Sequence, residues 1–180
     1  VSRGLGDVYK RQGMPYNIRE QPTLTFVARQ KGEAWNRPFV AVYEPSSQKE
    51  PGCISEVSFP EVNSKNKNSA VSVCVRQKDG RTDYILSSDR PEETCSSGNM
   101  SAQATYALWG NKQGNDCTLF LGNGTLLSTP NIIIKSATPA NVLLEYKNGT
   151  WHYTASADCT VSLNKKTYRL KAVSEATKLK

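Results

Sequence analysis

Histidine occurs once in this chain, at His152, which excludes any mechanism built on a histidine pair or a Ser-His-Asp triad inside the chain. His152 stands beside Trp151 and Tyr153, on the parity of Thr154 and Ser156. It therefore reads as a residue on the wetter face of a strand. None of the five cysteines, Cys53, Cys74, Cys95, Cys117 and Cys159, forms a Cys-x-x-Cys pair, so a sulfur-ligated metal is not expected. The odd count also argues against a complete disulfide framework, although one or two bridges would suit an exported protein. Cys117 and Cys159 share strand parity with Leu119 and Leu121, and with Val161 and Leu163, and read as buried free thiols. No apolar run approaches the roughly 18 residues that span a bilayer, so no membrane partner is expected. Nowhere do apolar residues recur at helical spacing for three turns.

The formal net charge is +7, but it is spread rather than clustered. Asp7-Val8-Tyr9-Lys10-Arg11-Gln12 reads, codon by codon, as the translation of a transposon end used in sequencing-library preparation. Residues 1–12 are accordingly set aside from fold reasoning as a scar, and the chain is expected to be the C-terminal remnant of a longer protein. No hydrophobic leader segment is seen, which carries little weight at such an N-terminus. Asn63-Ser64-Lys65-Asn66-Lys67-Asn68 is the nearest approach to a basic run, and its Asn and Ser content suits a polar loop tip. No aromatic-interleaved basic stripe, zinc-finger spacing or RNA-binding signature is read, so nucleic acid is not an expected partner.

What is present is a series of short strands. Leu24, Phe26 and Ala28 alternate with polar neighbours from Thr23 onward, the period-two pattern of a half-buried strand. Phe39 to Tyr43 is a continuous apolar run, expected as a strand buried on both faces. Ile54 to Phe59 follows, and then Val71, Val73 and Val75 alternate with Ser72, Cys74 and Arg76. Lys78-Asp79-Gly80-Arg81 gives a hairpin signal leading to a partner strand at Thr82 to Leu86. Ala102 to Trp109, Cys117 to Gly122, Ile132 to Ser136, Val142 to Tyr146, Trp151 to Ala155 and Thr160 to Leu163 continue the series. Gly110-Asn111, Gly122-Asn123-Gly124, Thr138-Pro139, Asn148-Gly149 and Asn164-Lys165 punctuate it, and Asn148-Gly149 favours a type I′ turn. The expected class is all-β, an antiparallel β-sandwich of about 10–13 short strands. Its expected divisions are a scar at 1–12, a linker at 13–22, the sandwich at 23–170 and a basic tail at 171–180.

Candidate chemistry is sparse. Glu92-Glu93 reads as a solvated acidic turn, since adjacent carboxylates seldom converge on one substrate atom. No carboxylate spacing suggests a glycosidase pair. No catalytic residue, cofactor or metal is expected in this chain. The best binding constellation is Trp35, Asn36 and Arg37, an aromatic face, an amide and a guanidinium confined by Gly32 and Pro38. That set can stack on a sugar and clamp a carboxylate or sulfate. The same residues also suit a structural role, with Trp35 plugging the sandwich end and Arg37 paired with Glu33 or Glu44. Asn99-Met100-Ser101, Asn123-Gly124-Thr125 and Asn148-Gly149-Thr150 match the glycosylation sequon and read as turn residues.

Lys31 to Pro45, followed by Thr82-Asp83-Tyr84-Ile85-Leu86-Ser87, resembles the C-terminal β-sandwich region of the heparinase II/III-like polysaccharide lyases. The order of the later strands agrees, so the resemblance covers roughly residues 15–170. It implies an exported, periplasmic or extracellular enzyme that cleaves uronate-containing polysaccharides by β-elimination. It further implies an α/α toroid upstream and catalytic residues outside this chain, which would then serve as scaffold and substrate-cleft support. The expected partners are an acidic polysaccharide and the missing toroid. A non-catalytic carbohydrate-binding or adhesion module is the competing class, and a structural Ig-like spacer a third.

Overall fold

The computed structural model describes residues 6–13, 23–30, 39–66, 68–112 and 116–179. They fall into two compact units, Val1–Phe39 and Val40–Lys180. The first contains a two-stranded antiparallel sheet of β1 (Gly6–Gly13) and β2 (Thr23–Gln30), in register from Gly6↔Gln30 to Gly13↔Thr23. The strand expected at Thr23 is thus present, and its partner is the stretch set aside as a scar.

The second unit is built from β3 (Ile54–Ser58), β4 (Ala70–Gln77), β5 (Arg81–Ser88), β6 (Cys95–Ser97), β7 (Met100–Lys112), β8 (Cys117–Ser128), β9 (Ile132–Lys147), β10 (Thr150–Ala155), β11 (Cys159–Leu163), β12 (Lys166–Leu170) and β13 (Val173–Lys178). The described residues include no helix, and the fold is the all-β, antiparallel class expected. The strand order is β12-β11-β9-β8-β7-β5-β4-β3, with β10 joining β9 to β13 and β6 lying along β7. Three long strands, β7, β8 and β9, serve two layers. The first part of β9 pairs with β11, Ile132↔Leu163 to Ser136↔Cys159, and the second part pairs with β10, Val142↔Ala155 to Lys147↔Thr150. Strands that pass from one sheet to another through bulges are how orthogonal sandwiches turn their corners.

The corner is made by sequence. Pairing between β8 and β9 is irregular between Leu121 and Leu126, and that between β7 and β8 shifts at Gln103/Ala104. A Cβ on Gly124 would stand 2.4 Å from Ala104 Cβ and 2.6 Å from the Gln103 carbonyl oxygen. Only glycine lets the two backbones approach so closely. Asn123 beside it adopts φ 48°, and its backbone N–H donates to Asn141 Oδ1 at 2.8 Å. Gly122-Asn123-Gly124 and Thr138-Pro139, expected as turns between separate strands, are therefore bends inside β8 and β9. Pro139 is tolerated there because the ladder is already interrupted, so its missing N–H breaks no regular pairing.

In an antiparallel ladder directly opposed residues point to one face. The chain of partners Ser72, Leu86, Ala107, Leu121, Val142, Ala155 therefore marks one surface, and every one of them is buried. The second layer adds Leu127, Ile134, Val161, Leu163 and Leu170 to the same core cluster. Each fully buried Leu or Ile contributes about 1.5–3 kcal/mol relative to exposure. Val73 and Val75, by contrast, share the opposite face with Ile85 and Val57.

Turn chemistry agrees with the sequence. Lys78, Asp79 and Gly80 form a three-residue loop with Gly80 at φ 88° and its N–H bonded to the Gln77 carbonyl at 3.1 Å. Asn148 and Gly149 both have positive φ, 52° and 76°, the type I′ pair,. Two expectations are corrected. Phe39 to Tyr43 forms no strand, and Phe39, Val42 and Tyr43 are 58%, 40% and 79% exposed. A strand buried on both faces needs flanking partners, and among the described residues this segment pairs with none. Second, residues 171–180 are not simply a tail, because Val173–Lys178 is β13, antiparallel to β10 through Tyr153↔Thr177 and His152↔Lys178.

Candidate functional site

Strands β12 and β13 are each paired on one side only, β12 to β11 and β13 to β10. Between them opens a groove of about 540 Å³ lined by Tyr153, Lys166, Thr167, Tyr168, Arg169, Leu170, Thr177, Lys178 and Leu179. Its β12 wall follows from the Asn164-Lys165 turn, in which φ is 47° and 74°, giving the register Leu163↔Lys166, Val161↔Tyr168 and Cys159↔Leu170. Leu163, Val161 and Cys159 are buried, so Lys166, Tyr168 and Leu170 share the core-facing parity of β12. Leu170 and Tyr153 are buried, Tyr168 and Leu179 are half-buried, and Lys166, Arg169 and Lys178 are exposed. Lys166 shares the inward face of β12 with Tyr168 and Leu170, while Arg169 and Lys178, opposite His152, line the groove from the outward faces of their strands.

The electrostatics are one-sided. Among the described residues no carboxylate lines the groove, and none of their ion pairs uses Lys166, Arg169 or Lys178. Lys166 Nζ lies 5.0 Å from the centroid of the Tyr168 ring, a cation–π contact that positions the ammonium without neutralising it. The far wall is fixed by Asp158. Its carboxylate accepts from Lys171 Nζ at 2.7 Å and from the Ala172 backbone N–H at 3.0 Å, immediately before β13. The Lys171 hydrogen bond, reinforced by the Ala172 N–H, holds the Asp158 carboxyl below the usual carboxylate range. At its other end β13 is closed by the Leu179 N–H donating to the Trp151 carbonyl at 2.9 Å. Cations of this kind can take carboxylate or sulfate groups.

The residues expected to bind, Trp35, Asn36 and Arg37, lie outside the described residues. His152 is half-buried on β10, opposite Glu145 on β9 and Lys178 on β13. Glu93 is held by the Asn66 amide, whose Nδ2 stands 2.9 Å from each carboxylate oxygen. Neither belongs to the groove, and no group of three metal-ligating side chains occurs among the described residues. All five thiols are free. Cys159 is buried as expected, Cys117 only half-buried, and burial pushes both thiols up. Asn99, Asn123 and Asn148 are exposed. Tyr84 and Trp109 stack at 21° but pack half-buried against the core, while the pairs Tyr106–Phe120 and Tyr146–Trp151 are tilted by 54° and 48°.

The groove also corrects the reading of charge. Lys165-Lys166-Thr167-Tyr168-Arg169-Leu170-Lys171 is a basic stripe around an aromatic, and it was the available signal. Its partner Lys178 could not be found the same way, because β13 alternates too weakly to be read as a strand.

Comparison with known proteins decides the family. The model of the endo-acting ulvan lyase C-terminal domain matches residues 56–146, half of the chain. The chain belongs to that family. The match runs from β3 to the end of β9 and thus covers the corner-forming strands. The ulvan lyase C-terminal domain is a polysaccharide lyase domain, the broad class that the resemblance implied. The groove strands β10, β12 and β13 lie beyond the matched residues. No curated protein and no solved structure matches the chain.

Proposed function

We propose that this chain is the C-terminal β-sandwich region of an exported polysaccharide lyase of the heparinase II/III-like plan. It completes a wall of the substrate cleft and holds an acidic polysaccharide, while elimination is carried out by residues upstream, in an α/α toroid. The observation that carries this reading is the family match, because a lyase acts beside a uronate and its substrate is therefore a polyanion. Support comes from the scattered chemistry of the described residues. His152, Glu93 and the thiols sit in separate places, and no acid–base pair faces a cleft of suitable size.

The test is to mix the purified chain with ulvan and follow both binding and the absorbance of unsaturated uronate. Retardation of the chain in an ulvan-containing gel without any unsaturated product is expected. Formation of unsaturated uronate would show a self-sufficient lyase and end the scaffold reading. Absence of binding to every acidic polysaccharide tried would end the polysaccharide-holding role.

A further inference from the structure

We propose that the groove between β12 and β13 is a binding site for a uronate- or sulfate-bearing oligosaccharide, with Lys166, Arg169 and Lys178 taking the anionic groups. The proposal rests on the polysaccharide reading above but assigns it to a place outside the residues that define the family.

Three observations carry it. First, five cations of the described residues are held by carboxylates, although others, such as Lys78, Arg90 and Lys135, are not. Arg76, Arg81, Lys112, Lys147 and Lys171 each meet a carboxylate within 2.9 Å. Lys166, Arg169 and Lys178 line the groove from two strands, and none of its described lining residues is a carboxylate. Placing like charges together has an electrostatic cost that a bound polyanion would remove. Second, the groove volume of about 540 Å³ falls within the roughly 300–1,000 Å³ typical of ligand sites, and half-buried Tyr168 and Leu179 line it. Third, chemistry differs along the rim. Arg169 can grip a carboxylate or sulfate bidentately, whereas Lys166 and Lys178 act as point charges.

A nucleic acid fits less well. Single-stranded nucleic acids are held by exposed aromatic faces on which bases stack. Tyr153 is only 9% exposed, and the Tyr168 ring is covered by Lys166.

The experiment titrates the complete chain with ulvan oligosaccharides, a neutral glucan and a single-stranded polynucleotide, by calorimetry and by amide chemical shifts. Ulvan oligosaccharides are expected to bind, with shifts centred on β12 and β13 and affinity falling as salt rises, and the glucan is not. The variant K166Q/R169Q/K178Q should lose at least about tenfold in affinity, since each charge-assisted contact is worth more than a neutral one. Its melting temperature should stay within a degree or two, because these exposed side chains join no ion pair among the described residues. R76Q, at the opposite end of the sheet, serves as the control and should bind as the parent does.

If the parent binds ulvan and the triple variant binds equally well, the groove assignment is overturned while the polysaccharide-holding role stands. If the parent binds no acidic polysaccharide, both fall. If the polynucleotide binds as tightly as the oligosaccharide and depends on the same three residues, the groove is a general polyanion surface and its assignment to sugars is lost.

Discussion

The two ends of the large sheet treat charge in opposite ways. At the β3–β5 end, Arg76 meets Glu56 at 2.7 Å, Arg81 meets Asp83 at 2.8 Å and Lys112 meets Asp79 at 2.9 Å. Asp79 lies in the β4–β5 turn, where the hydrogen bond from Lys112, then the Arg81 backbone N–H, holds its carboxyl below the ordinary range. At the other end Lys166, Arg169 and Lys178 line a groove that has no acid among its described lining residues. Two cations near that end are paired, Lys171 with Asp158 where β13 begins and Lys147 with Glu145 on β9. The paired cations of the first end tie strands and turns together, whereas no carboxylate is among the described residues that line the groove. Sequence composition averages these two behaviours into one diffuse positive charge.

If this contrast is sound, damage at the paired end should cost stability and leave binding alone. Asp83 accepts from Arg81 Nε at 2.8 Å and from Gln77 Nε2 at 2.9 Å, and its side chain is only 14% exposed. Replacing Asp83→Ala removes both bonds and leaves Arg81 and Gln77 without their acceptor. A loss of about 1–3 kcal/mol is expected, read as an earlier midpoint in urea unfolding, with ulvan affinity unchanged. A parallel fall in affinity would mean that the two ends are coupled and the contrast false.

A second substitution works at the groove itself and in the opposite direction. Lys165 occupies the second central position of the β11–β12 turn at φ 74°, where a side chain costs roughly 1–2 kcal/mol. The corresponding position in the β9–β10 turn is Gly149. Lys165→Gly should therefore stabilise the protein by up to about 1 kcal/mol, the relief of strain being partly offset by the greater chain entropy of glycine. The groove cations do not include Lys165, so affinity should change far less than in the triple variant. An unchanged or lower melting temperature would refute the strain argument.

The strands were legible where one face is apolar and the other wet. Val71 to Arg76 and Trp151 to Ala155 carry that alternation, and Asn148-Gly149 declares its turn because both residues tolerate positive φ. The corner was not legible. Locally, Gly122-Asn123-Gly124 and Thr138-Pro139 have the composition of turns, and only the pairing of distant residues turns them into bends within long strands. Phe39 to Tyr43 misled for the reverse reason, since an apolar run specifies burial but not the partners that would supply it. The groove was half visible. The basic stripe around Tyr168 lay in the sequence, but its opposing wall, β13, is almost wholly exposed and so lacks the pattern by which strands are recognised.

The smallest effect concerns how that wall is held. Asp158 has a folded-state pKa depressed by its bonds to Lys171 and Ala172, so its contribution is present above the unfolded carboxylate pKa of about 3.9. It is lost as pH falls through the lower folded value. Ala172 should therefore keep its amide protection from neutral pH down to about pH 4 and lose it below, after correction for intrinsic exchange. In D158N the neutral amide cannot hold Lys171 electrostatically, and the same amide should exchange several-fold faster already at neutral pH. Because the pair is exposed, its screening by salt keeps the effect on global stability small. The informative readout is consequently local: faster exchange at Ala172 and through β13, with little change at Leu119 or Leu144 in the core. Uniform acceleration across the molecule would instead make Asp158 part of the global fold and not a clasp for one wall of the groove.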